Sequence, residues 1–158
     1  MTPVLAIVAI AVLIWMFIRI ARAPVAPSTR ATVAQIASVF DSLSAASAEP
    51  AFVVISFNTP GRPRVEEAVD LQFYKENGRV GFDWALEAAR NVQDEELFLS
   101  FARTAGFEPR LMETNGVRHH RVDDGDVLHL CTAVIQELYG RPPDSPVDLI
   151  MEGFELKA

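Results

Sequence analysis

An uninterrupted apolar segment near the N-terminus is the feature that most constrains the fold. Residues 4–18 contain no polar side chain, and two arginines follow them within four residues. A helix over residues 3–21 would be about 28 Å long, close to the roughly 30 Å thickness of a bilayer's hydrocarbon core. A buried core helix is normally apolar along one stripe only. This pattern predicts a transmembrane anchor over residues 1–22.

The residues around the segment predict whether it is cleaved and how it is oriented in the membrane. No Lys or Arg precedes it, and the one Ala-Arg-Ala cleavage candidate is followed by Pro24, so removal as a signal peptide is not expected. Arginines follow the segment and none precedes it, which favours a cytoplasmic C-terminal side. Arg outnumbers Lys, a compositional hint of a bacterial genome. We therefore expect a single-pass protein of the bacterial cytoplasmic membrane, with residues 3–21 as its membrane contact.

The remainder divides into a linker and one acidic domain. Residues 23–31 contain two prolines and predict an extended linker, and residues 32–158 are enough for one compact domain. The first 30 residues hold three of the 14 basic side chains and none of the 21 acidic ones, so the rest carries a net charge of −10. Such a charge would be repelled by phosphate backbones, which excludes nucleic acid as an expected partner. A protein partner, possibly a basic one, is expected instead.

The pair Asn77-Gly78 gives the clearest fold signal, because Asn-Gly is preferred in two-residue type I′ hairpins. A hairpin closed there places Phe73 opposite Phe82 and Leu71 opposite Trp84. These four apolar side chains then share one face, which predicts a sheet packed on a core from that side. The opposite, polar face carries Asp70, Gln72, Tyr74 and Asp83.

The other elements follow from apolar periodicity, capping residues and turn residues. We predict helices over residues 33–46, 94–105 and 126–139, and further strands over residues 51–58, 110–114, 117–122 and 147–154. The predicted fold class is α+β: a single N-terminal transmembrane helix, then an α-β-β-β-α-β-β-α-β domain with a mainly antiparallel sheet. The second helix is expected to bury Leu97, Phe98, Phe101, Ala102 and Ala105.

From residue 33 to residue 139 this order of elements resembles that of type III secretion chaperone-like folds, a superfamily that also includes bacterial sensory-transduction regulators. The resemblance implies a similar α+β domain, and the members compared are often dimeric. It rests on element order, so it carries over no functional residue. The predicted anchor and the terminal strand depart from that pattern.

The segment HHRVDDGD, residues 119–126, concentrates the residue types that bind metals or act as general bases. Neighbouring side chains of a strand point to opposite faces, so His119 and His120 should not share one metal ion. Asp126 at the start of a helix instead fits an N-cap. The weak candidates for metal ligands are His119, His120, Asp124 and His129.

Cys131 is the single cysteine, which excludes an intrachain disulfide and suits a reducing compartment. Its helical spacing from Val127, Val134 and Leu138 predicts a small buried hydrophobic residue rather than a reactive thiol. The sequence contains no Walker motif, no dinucleotide-binding glycine motif and no zinc-spaced cysteine pair. No cofactor and no catalytic residue are therefore predicted.

These observations favour a protein-interaction module: an adaptor, an inhibitor or a chaperone-like holder. Its predicted contact surface is the polar face of the first hairpin, with Tyr74 as the aromatic anchor and Asp70, Gln72 and Asp83 around it. Two alternatives stay open. One is a small metal-dependent or hydrolytic enzyme that uses the His119–His129 region, and the other is a toxin-neutralising immunity protein.

Overall fold

The computed structural model describes residues 28–58, 68–114 and 116–156, and its centre is a seven-stranded sheet. The spatial order is β1-β7-β2-β3-β4-β6-β5, and every neighbouring pair is antiparallel. The strands are β1 (Thr29–Thr32), β2 (Ala51–Asn58), β3 (Ala68–Glu76), β4 (Arg79–Ala85), β5 (Arg110–Thr114), β6 (Val117–Val122) and β7 (Pro146–Glu152).

The described helices pack on one face of this sheet. They are α1 (Ile36–Ser44), preceded by a 3₁₀ turn over Val33–Gln35, α2 (Ala89–Gln93), α3 (Glu95–Thr104) and α4 (Val127–Ala133), which continues as a π-helix over Val134–Leu138. Asp126 caps α4, since its carboxylate accepts the His129 backbone N–H at 2.9 Å. The predicted N-cap is therefore confirmed.

The hairpin of β3 and β4 has the predicted register. Phe73 lies opposite Phe82, and Leu71 lies opposite Trp84. Asn77 and Gly78 both have positive φ angles, 54° and 75°, as a type I′ turn requires. The alternation of side chains therefore sends both phenylalanines and Trp84 into the core.

Trp84 is the centre of an aromatic cluster beneath the helices. Its ring stacks on Phe98 of α3 with centroids 4.4 Å apart and also lies parallel to Tyr139, 6.5 Å away. The indole Nε1–H donates to the Asn91 carbonyl oxygen at 3.1 Å. Because the indole is fully buried and its one donor is satisfied, this position combines a large apolar contribution with no unmet polar group.

Asn91 of α2 extends the hydrogen bonding of β3 beyond the last residue pair of the β3–β4 ladder. Its side-chain amide accepts the Asp70 backbone N–H at 3.0 Å and donates to the Asp70 carbonyl oxygen at 2.6 Å. Asn91 is fully buried and thereby replaces two hydrogen bonds that a neighbouring strand would supply. Helix α2 was not predicted, because five residues give too short a pattern for periodicity.

The predicted fold class, with a transmembrane helix ahead of the domain, is wrong. A membrane span needs about 20 apolar residues, whereas α3 has 10 and the other described α-helices have fewer, and none within residues 28–58, 68–114 and 116–156 is long and apolar enough to cross a bilayer. The anchor predicted over residues 3–21 lies outside the described residues. The structure shows an α+β fold with an antiparallel sheet.

The structure also differs from the prediction at two further points, one in element order and one in burial. The described chain starts with β1, where residues 29–31, predicted as linker, pair with β7. The buried face of α3 is shifted, because Leu97 is 50% exposed whereas Leu99 is 7% exposed. Ala105, also predicted to be buried, is exposed. Cys131 is fully buried as predicted, and burial raises the pKa of its thiol above the ordinary value.

Substituting Trp84 by Ala should reduce the free energy of unfolding by about 3–5 kcal/mol, because the change removes a large buried ring and leaves a cavity. Urea unfolding followed by circular dichroism measures this loss. Val92→Ala is the control, since Val92 is 51% exposed, and it should change stability by less than about 0.5 kcal/mol. Equal losses in the two variants would contradict the assigned core.

Candidate functional site

The sheet face opposite the helices carries a continuous polar network on β3, β4, β6 and β5. Register places Gln72 beside Asp83, Asp83 beside Arg121, and Arg121 beside Arg110. On β3, β4 and β6 these residues alternate with core residues, and Arg110 of the exposed strand β5 joins the same face by pairing with Arg121. The described helices lie on the other side of the sheet, and the side that carries the network is called the open face.

The ion pair between Asp83 and Arg121 is the most buried part of the network. Arg121 donates from Nε to Oδ1 and from Nη2 to Oδ2 of Asp83, both at 2.9 Å. The side chains are 6% and 15% exposed, respectively. The hydrogen bonds to Asp83 raise the pKa of the Arg121 guanidinium, and the two bonds together make a bidentate contact.

Tyr74 is fixed from two sides. The Arg121 guanidinium lies over its ring at 3.8 Å from the centroid, and its hydroxyl donates to the Asp123 carboxylate. Burial, then the hydrogen bond to Asp123, raises the pKa of the phenol above its ordinary value. The aromatic ring is therefore held in one orientation rather than standing free on the sheet.

Gly81 makes room for this orientation. It is the cross-strand neighbour of Tyr74, and a Cβ atom built on it would overlap the tyrosine hydroxyl. An aromatic ring that leans over a strand glycine covers backbone that would otherwise be poorly packed. Position 81 therefore needs a glycine to leave room for Tyr74, and not because of a positive φ angle.

Two cavities flank the Tyr74–Arg121 contact. One, of about 390 Å³, is bounded by Tyr74, Arg79 and Arg110, among others, and Arg110 also forms an ion pair with Asp123. The other, of about 210 Å³, is lined by Gln72, Asp83, Ala85, Glu87, Thr114, Val117, His119 and Arg121. The network therefore separates two recesses on one rigid face.

The histidines and the aspartate proposed as metal ligands are dispersed. His119 faces the open side, whereas His120 faces the core and its Nε2 lies 2.6 Å from the Glu95 carboxylate. Asp124 is exposed in a turn, and His129 is exposed on α4. Within the described residues, no group of three or more His, Cys, Asp or Glu side chains could hold a metal ion. The structure thus does not bring these four residues together.

The four residues predicted as a contact surface do lie on one face, but their side chains are buried to different extents. Asp70, Gln72 and Tyr74 are half-buried, whereas Asp83 is buried beneath Arg121. Sequence reasoning missed Arg121 and Asp123, the partners of Asp83 and Tyr74. Alternation along β6 could have placed Arg121 on this face, but its register against β4 depends on a connection of more than 30 residues.

The chain matches no protein family, no curated protein and no solved structure. The geometry of the open face is therefore the basis for any functional proposal.

Gly81→Ala should destabilise the protein by about 1 kcal/mol or more when Tyr74 is present, because the new methyl group displaces a fixed ring. In a Tyr74→Ala background the same change should be neutral or stabilising, since alanine suits a strand better than glycine. A double-mutant cycle by urea unfolding should give a coupling energy of about 0.5–3 kcal/mol. Additive effects would show that the ring does not lie over Gly81.

Both tyrosines of the chain should resist ionisation in the folded protein. Burial, and then the hydrogen bond to Asp94, raises the pKa of the Tyr139 phenol. The pKa of the Tyr74 phenol is raised in the same way, and the ordinary value for both tyrosines is 10.0. Because the folded state holds these protons more tightly, its stability is fully present below pH 10.0 and falls as pH rises above that value.

Phenolate absorbance during an alkaline titration measures this behaviour. It should stay low above pH 10.0 until the chain unfolds and then rise with the loss of circular dichroism. Tyr74→Phe, as a matched variant, assigns the remaining signal to Tyr139. Ordinary titration of either phenol while the fold is intact would contradict the contacts described.

Proposed function

We propose that this protein is a protein-interaction module that binds a basic, partly apolar segment of a partner on its open face. The observation that carries the proposal is that arginines on that face form ion pairs with aspartates, whereas several carboxylates on it have no cationic partner among the described residues. The arginines Arg30, Arg110 and Arg121 each lie within ion-pair distance of an aspartate of the same face. The Arg121 charge is therefore offset in a buried pair, and the exposed pairs of Arg30 and Arg110 offset less. Arg79 at the larger cavity forms no ion pair with a described residue.

Carboxylates on the same face are left without such a partner among the described residues. Asp70 uses its backbone groups to bind Asn91, and its carboxylate accepts from no described donor. Glu152 at the end of β7 and Glu87 beside the small cavity are exposed. A basic partner would meet this excess of negative charge, which speeds association and favours cationic over anionic segments.

Apolar side chains lie between these carboxylates. Phe52 and Val54 of β2 are half-buried, as is Ile150 of β7, and register places Val54 beside both Ile150 and Gln72. Phe52 lies between Glu152 and Tyr74 on adjacent strands. Interfaces commonly combine an apolar centre with a polar rim, and this face presents both on a rigid sheet.

The fixed orientation of Tyr74 suits the role of an anchor residue. Aromatic residues held in one orientation lose little conformational entropy on binding, and tyrosine is common among the residues that dominate binding energies. An adaptor, an inhibitor or a chaperone-like holder would each use such a surface, so the proposal names the binding chemistry they share.

The test is isothermal titration calorimetry of the full chain with two synthetic peptides of equal length, one of alternating Lys and Leu and one of alternating Glu and Leu. The basic peptide should bind, and added salt should weaken it because exposed charges are screened. The acidic peptide should not bind. Equal binding of both peptides would overturn the proposal.

A matched pair of variants locates the surface. The double variant Asp70→Asn with Glu152→Gln should lower the affinity for the basic peptide by about two- to thirtyfold, since exposed ion pairs contribute about 0.2–1 kcal/mol each. Glu96→Gln with Glu137→Gln makes the same change in net charge on exposed helical residues and should leave the affinity unchanged. Equal losses in both variants would show that total charge, and not the open face, governs binding.

A further inference from the structure

The cavity of about 210 Å³ on the open face is lined in part by His119, whose Nε2 is buried and has no hydrogen-bond partner among the described residues. The side chain of His119 is 5% exposed. A buried polar atom of this kind costs free energy unless something pairs with it. It is therefore a pointer to a ligand at this position.

The tautomer of the neutral ring follows from its other nitrogen. Nδ1 lies 3.2 Å from the Val117 carbonyl oxygen, which can only accept a hydrogen bond. Nδ1 therefore carries the proton in the neutral ring, and Nε2 presents a lone pair. Nε2 lies 3.8 Å from Oδ2 of Asp83, which is too far for a hydrogen bond, so neither atom satisfies the other.

Two acceptors at this separation call for a shared donor. A nitrogen that bears two or more N–H groups can reach both at ordinary hydrogen-bond lengths of about 2.9 Å. The Glu87 carboxylate on the wall of the same cavity adds negative charge, whereas the Arg121 guanidinium is already engaged by Asp83. The volume exceeds the roughly 150 Å³ of a cavity that accepts benzene, so a side-chain end group fits.

We infer that this cavity binds the cationic end of a lysine or arginine side chain, between His119 and Asp83. This inference rests on the proposed function, since it assigns the cation to the basic segment that the open face binds. It adds the subsite at which one basic residue of that segment is recognised by hydrogen bonds as well as by charge.

The experiment uses small probes and the full chain. N-acetyl-lysine methylamide and N-acetyl-arginine methylamide carry the two cations, and N-acetyl-norleucine methylamide is the uncharged control. The chain has three histidines, so the ring nitrogens of His119 can be followed by long-range proton–nitrogen correlation spectra. At least one cationic probe should shift the Nε2 resonance saturably, and the norleucine compound should not.

Two exposed glutamates provide matched variants. Glu87→Gln removes a carboxylate from the cavity wall and should lower the affinity for the cationic probe by about threefold or more, because a charge contact is lost. Glu113→Gln removes the same charge from an exposed β5 residue that does not line the cavity and should leave the affinity unchanged. Neither position is in the core, so both variants should fold.

The results separate this inference from the proposed function. Absence of a saturable shift at His119 with both cations, or an equal shift with norleucine, overturns the subsite. Binding of the basic peptide with no change at His119 overturns the subsite and leaves the proposed function standing. A probe that shifts His119 while the basic peptide fails to bind supports the cation site and overturns the extended peptide surface.

Discussion

Register between β3 and β4 is the constraint on which the rest of the structure depends. The Asn77-Gly78 turn fixes which residues face each other, and side chains of a strand alternate strictly between the two faces. A shift by one residue would place Trp84 on the open face and Asp83 in the core. The aromatic cluster and the polar network therefore result from the same strand pairing.

Burial of the Asp83–Arg121 ion pair has consequences for rigidity more than for stability. Removing two charges from water is costly, and their attraction offsets this cost only when the geometry is good. Here both carboxylate oxygens accept from Arg121, whose guanidinium also covers the ring of Tyr74. The pair therefore orders its neighbours, and an ordered surface loses less entropy when it binds.

Local signals explain what the sequence could predict. The first hairpin depends on its turn and on alternation within 20 residues, and the cap of α4 depends on Asp126 alone, so both were predictable. The contacts of the candidate site join residues far apart in sequence, such as Asp83 with Arg121 and Tyr74 with Asp123. Their pairing is set by how β6 docks on β4, which no short motif specifies.

His119 shows why the partners of a residue matter more than its type. Sequence alone groups His119 with His120, yet one faces the Glu95 carboxylate near the core and the other faces Asp83 in a cavity. His120 is bonded through Nε2, whereas the corresponding atom of His119 meets only another acceptor. Two adjacent histidines thus differ in their surroundings because a strand presents them to opposite faces, and each keeps one buried ring nitrogen without a described partner, Nε2 in His119 and Nδ1 in His120.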